Sequence, residues 1–340
     1  MNPTDLIDTS GDFCIQAFPP AARWYLDARR PQTHCVITHG HTDHIGRHGR
    51  ILCTAPTAEM LKMRLYSSKT AAEKLPKFTI LPFQEPWSDG PLKFELFPAG
   101  HVLGSAMVRV TTPRGRFLYT GDFRLRPDSL TVTPAQIPEA DVVLMECTYG
   151  KPHYHFPPRS EVSSQLCELA NNAIKAGQLP ICLCYPLGKA QEVTAILTRG
   201  GLPVSMPGPT HKITEMYVRY GVALDNFRVY DPETVEGTVL VAPPGFKLQR
   251  GKTPHRPPYI IAITGWALDS SCIYRYGANA AVALSDHADF DELTEFARLS
   301  GAKHILLTHG FEKEFASHLR GLGLPAGPAR PPAQGALFEV

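Results

Sequence analysis

The stretch HCVITHGHTDH, residues 34–44, decides how the rest of the chain is read. Its first half, HCVITH (34–39), has strand character. Its second half is a glycine-containing loop that carries His39, His41, Asp43 and His44 within six residues. Core packing gives no reason for such a density of imidazole and carboxylate. Divalent metal binding does: from an extended loop, alternate positions such as His39 and His41 face one ion while Asp43 and His44 turn toward a second, and both donor types suit borderline divalent ions.

Working outward, the same arrangement recurs at other strand ends. LKFELFPAGH (92–101) reads as a strand running into His101 and a glycine turn, RFLYTGD (116–122) as a strand ending at Asp122, and AKHILLTHG (302–310) as one ending at His309. FTILPF (78–83), AMVRVTT (106–112) and DVVLMECT (141–148) are also strand-like. A lone histidine is usually a satisfied structural residue, and His34, His48, His153, His155, His255 and His304 stay unassigned on that ground. Strand ends that each deliver His or Asp are different, because chemistry in α/β sheets collects beyond the ends of strands. They are expected to form one joint metal site.

After Thr148 the character of the chain changes. EVSSQLCELANNAIKAG (161–177) has the apolar spacing of an amphipathic helix, LPICLCYPLG (179–188) reads as a strand and KAQEVTAILTRGG (189–201) as another helix. The tail returns to the first style, with AAVALSDHAD (280–289) as a strand feeding the helix FDELTEFARLSG (290–301). The expected organisation is α/β, a discontinuous domain of residues 1–150 and 282–340 interrupted by an inserted domain of residues 151–281.

A chain of 340 residues with 43% hydrophobic and 19% charged residues can bury two such cores without staples. The eight cysteines show no C-x-x-C pairing and are expected to be buried and reduced. No 18-residue apolar run is present, so no membrane span is expected. Met1 to Phe13 carries three aspartates and no signal-peptide progression, which makes the cytoplasm the expected address. A net charge of +2 does not announce a polyanionic partner, although a basic groove can sit inside a balanced total.

The H-x-H-x-D-H pattern of His39, His41, Asp43 and His44 resembles the signature of the metallo-β-lactamase superfamily, with His101 and Asp122 in the places of its third and fourth motifs. MECTYG with Glu146, LSDHAD with His287 and LTHG with His309 resemble the three further motifs of the β-CASP nucleases. The resemblance covers nearly the whole chain, and GDFCIQAF, YPLGKAQE, LSDHAD and THGFE are most similar to bacterial ligase-associated DNA exonucleases. It implies an αββα sandwich with an inserted α/β β-CASP domain and two divalent ions, zinc and/or manganese. The first ion is then held by His39, His41 and His101 and the second by Asp43, His44 and His309, with Asp122 bridging. Asp43, Glu146 and His287 take the catalytic assignments: Glu146 orients a histidine or the nucleophile, and His287 contacts a phosphate oxygen or protonates the leaving group. One departure stands out, because the family's orienting aspartate falls on Gln16 when CIQAF is aligned, leaving Asp8 or Asp12 to substitute or the carboxylate absent.

Lys189, at a helix start after PLG, is placed to meet a phosphate through its charge and the helix amides together, with Arg124 a further backbone-contact candidate. The resemblance implies a metal-dependent phosphodiesterase that degrades DNA, a 5′ to 3′ exonuclease of DNA repair. Its expected partners are nucleic acid, DNA favoured over RNA, and a DNA ligase or helicase of a repair cluster. Two rivals remain: a ribonuclease, because His309 matches the RNA-processing members, and a catalytically weak nucleic-acid-binding module, toward which Gln16 points.

Overall fold

Every side chain of the strand Val142–Cys147 is buried, yet successive residues serve two different cores. Val142 and Leu144 belong to one, Val143, Met145 and Cys147 to another. Successive side chains of a strand point to opposite faces, so this one lies in a sheet covered on both sides. In the computed structural model, which describes residues 2–16, 18–249 and 256–330, it is the third strand of a seven-stranded sheet. The strand order is Ala326–Pro328, His304–Gly310, Val142–Cys147, Gly115–Tyr119, Ala106–Thr112, Leu92–Pro98, Trp87–Asp89.

A six-stranded sheet packs against it. Its short strands Ile7–Asp8, Cys14–Ile15, Tyr25–Leu26, His34–Val36, Arg50–Cys53 and Lys77–Ile80 lie in chain order. Between the sheets, Ile15, Trp24, Leu26 and Val36 meet Phe94, Val108, Phe117 and Leu144 in one shared core. Each large apolar side chain buried this way contributes about 1.5–3 kcal/mol. The outer face of the six-stranded sheet, with Cys35, Ile51 and Cys53, packs on Ala58 and Leu61 of the helix Ala55–Leu65, which starts on a Thr54 cap. The outer face of the seven-stranded sheet packs on the helices Phe290–Leu299 and Glu312–Gly321 through Leu293, Phe296, Phe315 and Leu319. The layers are helix, sheet, sheet, helix: the αββα sandwich expected from the sequence.

The chain divides into two compact units. The first takes Met1–Pro127, Thr133–His155 and the residues from His287 onward; the second takes Asp128–Val132 and Phe156–Asp286. The joints therefore fall after His155 and Asp286, where the sequence reading placed them after 150 and 281. The strand Ala280–Val282 explains the second shift, because Val282 pairs with Ile263 in the sheet of the inserted unit rather than returning to the first. Asp128–Val132 joins the inserted unit because the Glu192 carboxylate accepts hydrogen bonds from the Ser129 and Thr131 hydroxyls and the Leu130 amide.

The inserted unit is a parallel sheet of order Phe227–Val229, Val204–Met206, Val239–Ala242, Leu179–Leu183, Pro258–Ile263, Ala280–Val282. Helices Arg159–Lys175 and Lys189–Arg199 cover one face through residues such as Leu166, Val193 and Leu197. All eight cysteines are free, and all but Cys167 are buried. Among the described residues, no helix is long and apolar enough to cross a membrane. His255 and residues 331–340 lie outside the described residues.

Candidate metal centre

Strand direction brings the candidate ligands together. Gly115–Tyr119, Val142–Cys147 and His304–Gly310 run parallel, so Asp122, Glu146 and His309 arrive at one edge of the sheet. Leu92–Pro98 is antiparallel to Ala106–Thr112, which is itself antiparallel to Gly115–Tyr119, so it also points that way and delivers His101. In the other sheet the chain leaves His34–Val36 toward the loop of His39 to His44. The two edges are stitched by the Ala106 amide, which donates to the Thr38 carbonyl at 3.0 Å. Gly121 allows the close approach: its φ is +53°, and a Cβ there would lie 2.5 Å from Thr38 Oγ1.

Asp122 is the hub. Its Oδ2 lies 3.3 Å from His44 Nε2, 3.4 Å from His39 Nε2, 3.7 Å from His101 Nε2 and 4.0 Å from His287 Nε2. Around it, His41 Nδ1 is 3.0 Å from His101 Nε2, Asp43 Oδ2 is 3.8 Å from His44 Nε2, and the rings of His44 and His309 are 5.2 Å apart. One ligand atom each from His39, His41, His101 and Asp122 fit within 4.8 Å of one another.

Most of the Asp122 distances are too long for hydrogen bonds. They are close to the edge of a tetrahedron of ligands about 2.0–2.1 Å from a zinc ion, about 3.3 Å. His39 Nε2 is buried and has no hydrogen-bond partner among the described residues, a condition that asks for an explanation in a native fold. A metal ion supplies one, and the donor set of imidazoles and carboxylates fits a borderline divalent ion.

The electrostatics agree. Burial, and then the neighbouring His44, hold His39 well below its ordinary pKa, so it is a neutral imidazole with a lone pair to give. Burial also works against a charged His44, but Asp122 and Asp27 outweigh it and hold this imidazole well above its ordinary value. Burial likewise opposes a charge on Asp122, yet His44, His287 and His39 keep it well below the usual carboxylate range. A proton on His44 and a metal ion compete for the same lone pair.

The first motif requires a correction. The orienting carboxylate is neither Asp8 nor Asp12, nor is it lost at Gln16. Asp27, at the end of Tyr25–Leu26, accepts from His44 Nδ1 at 2.9 Å and from the Thr38 hydroxyl and amide at 2.6 and 2.7 Å. Asp8 instead pairs with Ser10 and Arg23, and Asp12 accepts from Gln32. Asp27 and His309 share a further property, left-handed backbones at φ +43° and +54°. Non-glycine residues held there store on the order of 1–3 kcal/mol of strain, which clusters at functional sites.

Glu146 is buried at the foot of the cluster. It accepts from the Phe123 amide at 2.7 Å, the Thr148 hydroxyl at 2.5 Å and His287 Nδ1 at 2.9 Å. The two predicted substrate contacts are placed differently. Arg124, 5% exposed, donates to the Arg126 carbonyl at 3.3 Å, and its own amide donates to Ala99. Lys189, in the inserted unit, is 6% exposed and its Nζ lies 2.6 Å from Asp286 Oδ1.

Residues 5–179 match the family model of the Beta-lactamase superfamily domain, and the chain belongs to the metallo-β-lactamase superfamily, whose fold binds divalent metals. Among its relatives is a protein of Opitutus terrae named Probable DNA ligase, 38% identical over 312 residues, covering 90% of this chain and 30% of that one. The RNase J-like protein of Methanocaldococcus jannaschii is 29% identical over 209 residues, covering 54% of this chain and 49% of that one. Endoribonuclease YSH1 of Kluyveromyces lactis is 23% identical over 375 residues, covering 81% and 48%. The relatives thus include β-CASP nucleases, and this chain spans between 30% and 49% of the lengths of these three. The crystal structure of a protein of unknown function from Enterococcus faecalis V583 superposes with a TM-score of 0.56 at 14% identity, covering 81% of this chain and 75% of that one, a likeness of fold.

Proposed function

We propose that this chain is a two-metal phosphodiesterase acting on nucleic acid, with DNA as substrate and 5′ to 3′ exonuclease action in repair as the specific reading. The observation that carries it is Asp122 ringed by four imidazoles at 3.3–4.0 Å, with Asp43 and His309 beside His44. His39, His41 and His101 would hold one ion and Asp43, His44 and His309 the other, with Asp122 shared. Zinc and/or manganese bound there would supply Lewis acidity toward phosphoryl oxygens and a nucleophilic water at neutral pH.

The remaining chemistry belongs to the chain. Glu146 fixes His287 with its proton on Nδ1, leaving Nε2 facing Asp122 and the reacting groups. In its doubly protonated form, with the Glu146 carboxylate beside Nδ1 balancing the charge, His287 gives the Nε2 proton to a phosphate oxygen or the leaving oxygen and is left as the Nδ1–H imidazole, a contribution worth about 10²–10⁴ in rate. Asp27 orients His44, which removes the reason for reading the chain as a binding module weakened at its first motif.

The Opitutus relative named Probable DNA ligase, aligned over 90% of this chain, supports DNA as substrate and a DNA ligase as partner; a helicase as the alternative repair partner and the cytoplasm rest on the reading of the sequence alone. A ribonuclease is the second reading, favoured by the relatives named RNase J-like protein and Endoribonuclease YSH1. The test is digestion of matched 5′-labelled and 3′-labelled DNA and RNA strands by metal-loaded protein beside Asp122→Ala. Stepwise release of DNA nucleotides from the 5′ end, absent in the variant, is expected. A preference for RNA makes the chain a ribonuclease, and no cleavage with zinc or manganese overturns the catalytic reading.

A further inference from the structure

A cavity of about 600 Å³ opens against Asp43 and His309, entirely within the metal-binding unit. Its wall carries three arginines, Arg29, Arg30 and Arg330, over a floor that includes the buried ring of Tyr119. Arg29 and Arg30 are exposed, and neither forms an ion pair or side-chain hydrogen bond among the described residues. Arg330 is held in place: its Nη2 donates to the Gly11 carbonyl at 2.7 Å, and its guanidinium lies 4.6 Å from the centre of the Phe13 ring.

Three carboxylates also line the cavity, and one of them is paired away from it: Asp27 lies 2.9 Å from His44 Nδ1 and accepts from Thr38. That leaves Asp43 and Asp12, which accepts from Gln32 Nε2 at 3.2 Å, against three guanidiniums with or without a metal ion bound. The wall is therefore cationic. A guanidinium is a rigid fork of donors that matches phosphate oxygens in pairs. Cavities of about 300–1,000 Å³ hold one small ligand rather than a polymer.

We propose that this cavity is a nucleotide subsite, in which Arg29, Arg30 and Arg330 bind the phosphate of one nucleotide next to the metal centre. The role of that nucleotide as part of a nucleic-acid substrate rests on the phosphodiesterase reading; the phosphate chemistry of the pocket does not.

The experiment is calorimetric titration of the full chain, metal-loaded and again in excess chelator, with thymidine 5′-monophosphate, thymidine and inorganic phosphate. Wild type is compared with Arg29→Ala/Arg30→Ala, whose removed side chains form no ion pair or hydrogen bond among the described residues. The nucleotide is expected to bind in both states, more tightly than inorganic phosphate, with thymidine silent and a loss of about tenfold or more in the double variant. Equal binding by the variant overturns the subsite, as does binding that vanishes on chelation alone, because the phosphate then sits on the ions. Inorganic phosphate matching the nucleotide overturns the nucleotide assignment. Arginine-dependent nucleotide binding by a protein that cleaves no nucleic acid leaves the subsite standing and the phosphodiesterase reading refuted.

Discussion

Replacing Asp27 by asparagine tests whether the site is built from its supporting carboxylate outward. The aspartate accepts three hydrogen bonds: from the Thr38 amide at 2.7 Å, the Thr38 hydroxyl at 2.6 Å and His44 Nδ1 at 2.9 Å. Asparagine keeps one acceptor oxygen. If that oxygen stays with the Thr38 amide, the side-chain NH2 faces His44 Nδ1, where a proton now sits. The imidazole then either leaves two donors opposed, at about 1–3 kcal/mol, or moves its proton to Nε2. A proton on Nε2 occupies the lone pair aimed at Asp122, and His44 can no longer be a ligand. Loss of such supporting partners lowers metal affinity by about ten- to a hundredfold, or about 1.4–2.7 kcal/mol. Competition with a colorimetric chelator should show one of two zinc equivalents weakened by that factor, with circular dichroism confirming the fold. Thr38→Val, which leaves the Asp27–His44 bond in place, should move the affinity far less. A folded Asp27→Asn protein that holds both equivalents as tightly as wild type would refute the reasoning.

Other parts of the chain make separate predictions. His287→Ala should retain both metal equivalents while nuclease turnover falls by about 10²–10⁴, since Glu146 rather than an ion holds this ring; loss of metal along with activity would place His287 among the ligands instead. Lys189→Ala removes the ammonium 2.6 Å from Asp286, whose side chain is 12% exposed, and should cost about 1–3 kcal/mol in urea denaturation, with Asp286→Asn recovering part of it in the double variant. Simply additive losses would show the pair to be uncoupled. Asp141 is held below its ordinary pKa of 3.8, chiefly by the Arg116 amide and then by Lys303, so its stabilisation is full above that value and disappears as pH falls through the lower folded-state pKa. Asp141→Asn should therefore be less stable than wild type by about 1 kcal/mol at neutral pH, and the gap should close in acid; a gap independent of pH contradicts this.

How much of this was legible depends on how local each signal was. Ala106–Thr112 is long enough to show alternation and Val142–Cys147 to show the continuous apolar run of a strand covered on both faces, and His101, Asp122 and His309 stand at the ends of strands of comparable length. Asp27 follows a strand of only two residues, Tyr25–Leu26, too short to show a period and held by pairing with Cys14 and with Cys35–Val36. Its signal was present all the same, an acidic residue closing an apolar WYL run, as Asp122 closes RFLYTG. Arg124 misleads for the opposite reason. Two residues beyond Asp122 it reads as a free cation, but the chain there turns back so that its amide meets the Ala99 carbonyl and the side chain is buried.

The two strained backbones also lay beyond sequence reading, because nothing in LDA or THG marks a left-handed residue before the glycine is placed. Gly310, at φ +141°, explains one of them: a Cβ there would come within 2.0 Å of the Cys147 carbonyl, so the strand can close against Val142–Cys147 only if position 310 has no side chain. The shift of register between Glu146 and Cys147 falls at the same point and leaves His309 outside the ladder. A bulge next to a site re-aims a side chain. Here it turns His309 toward His44, so if the proposed second ion is held there, Gly310→Ala should weaken it before it weakens the first, and metal titration resolves the two.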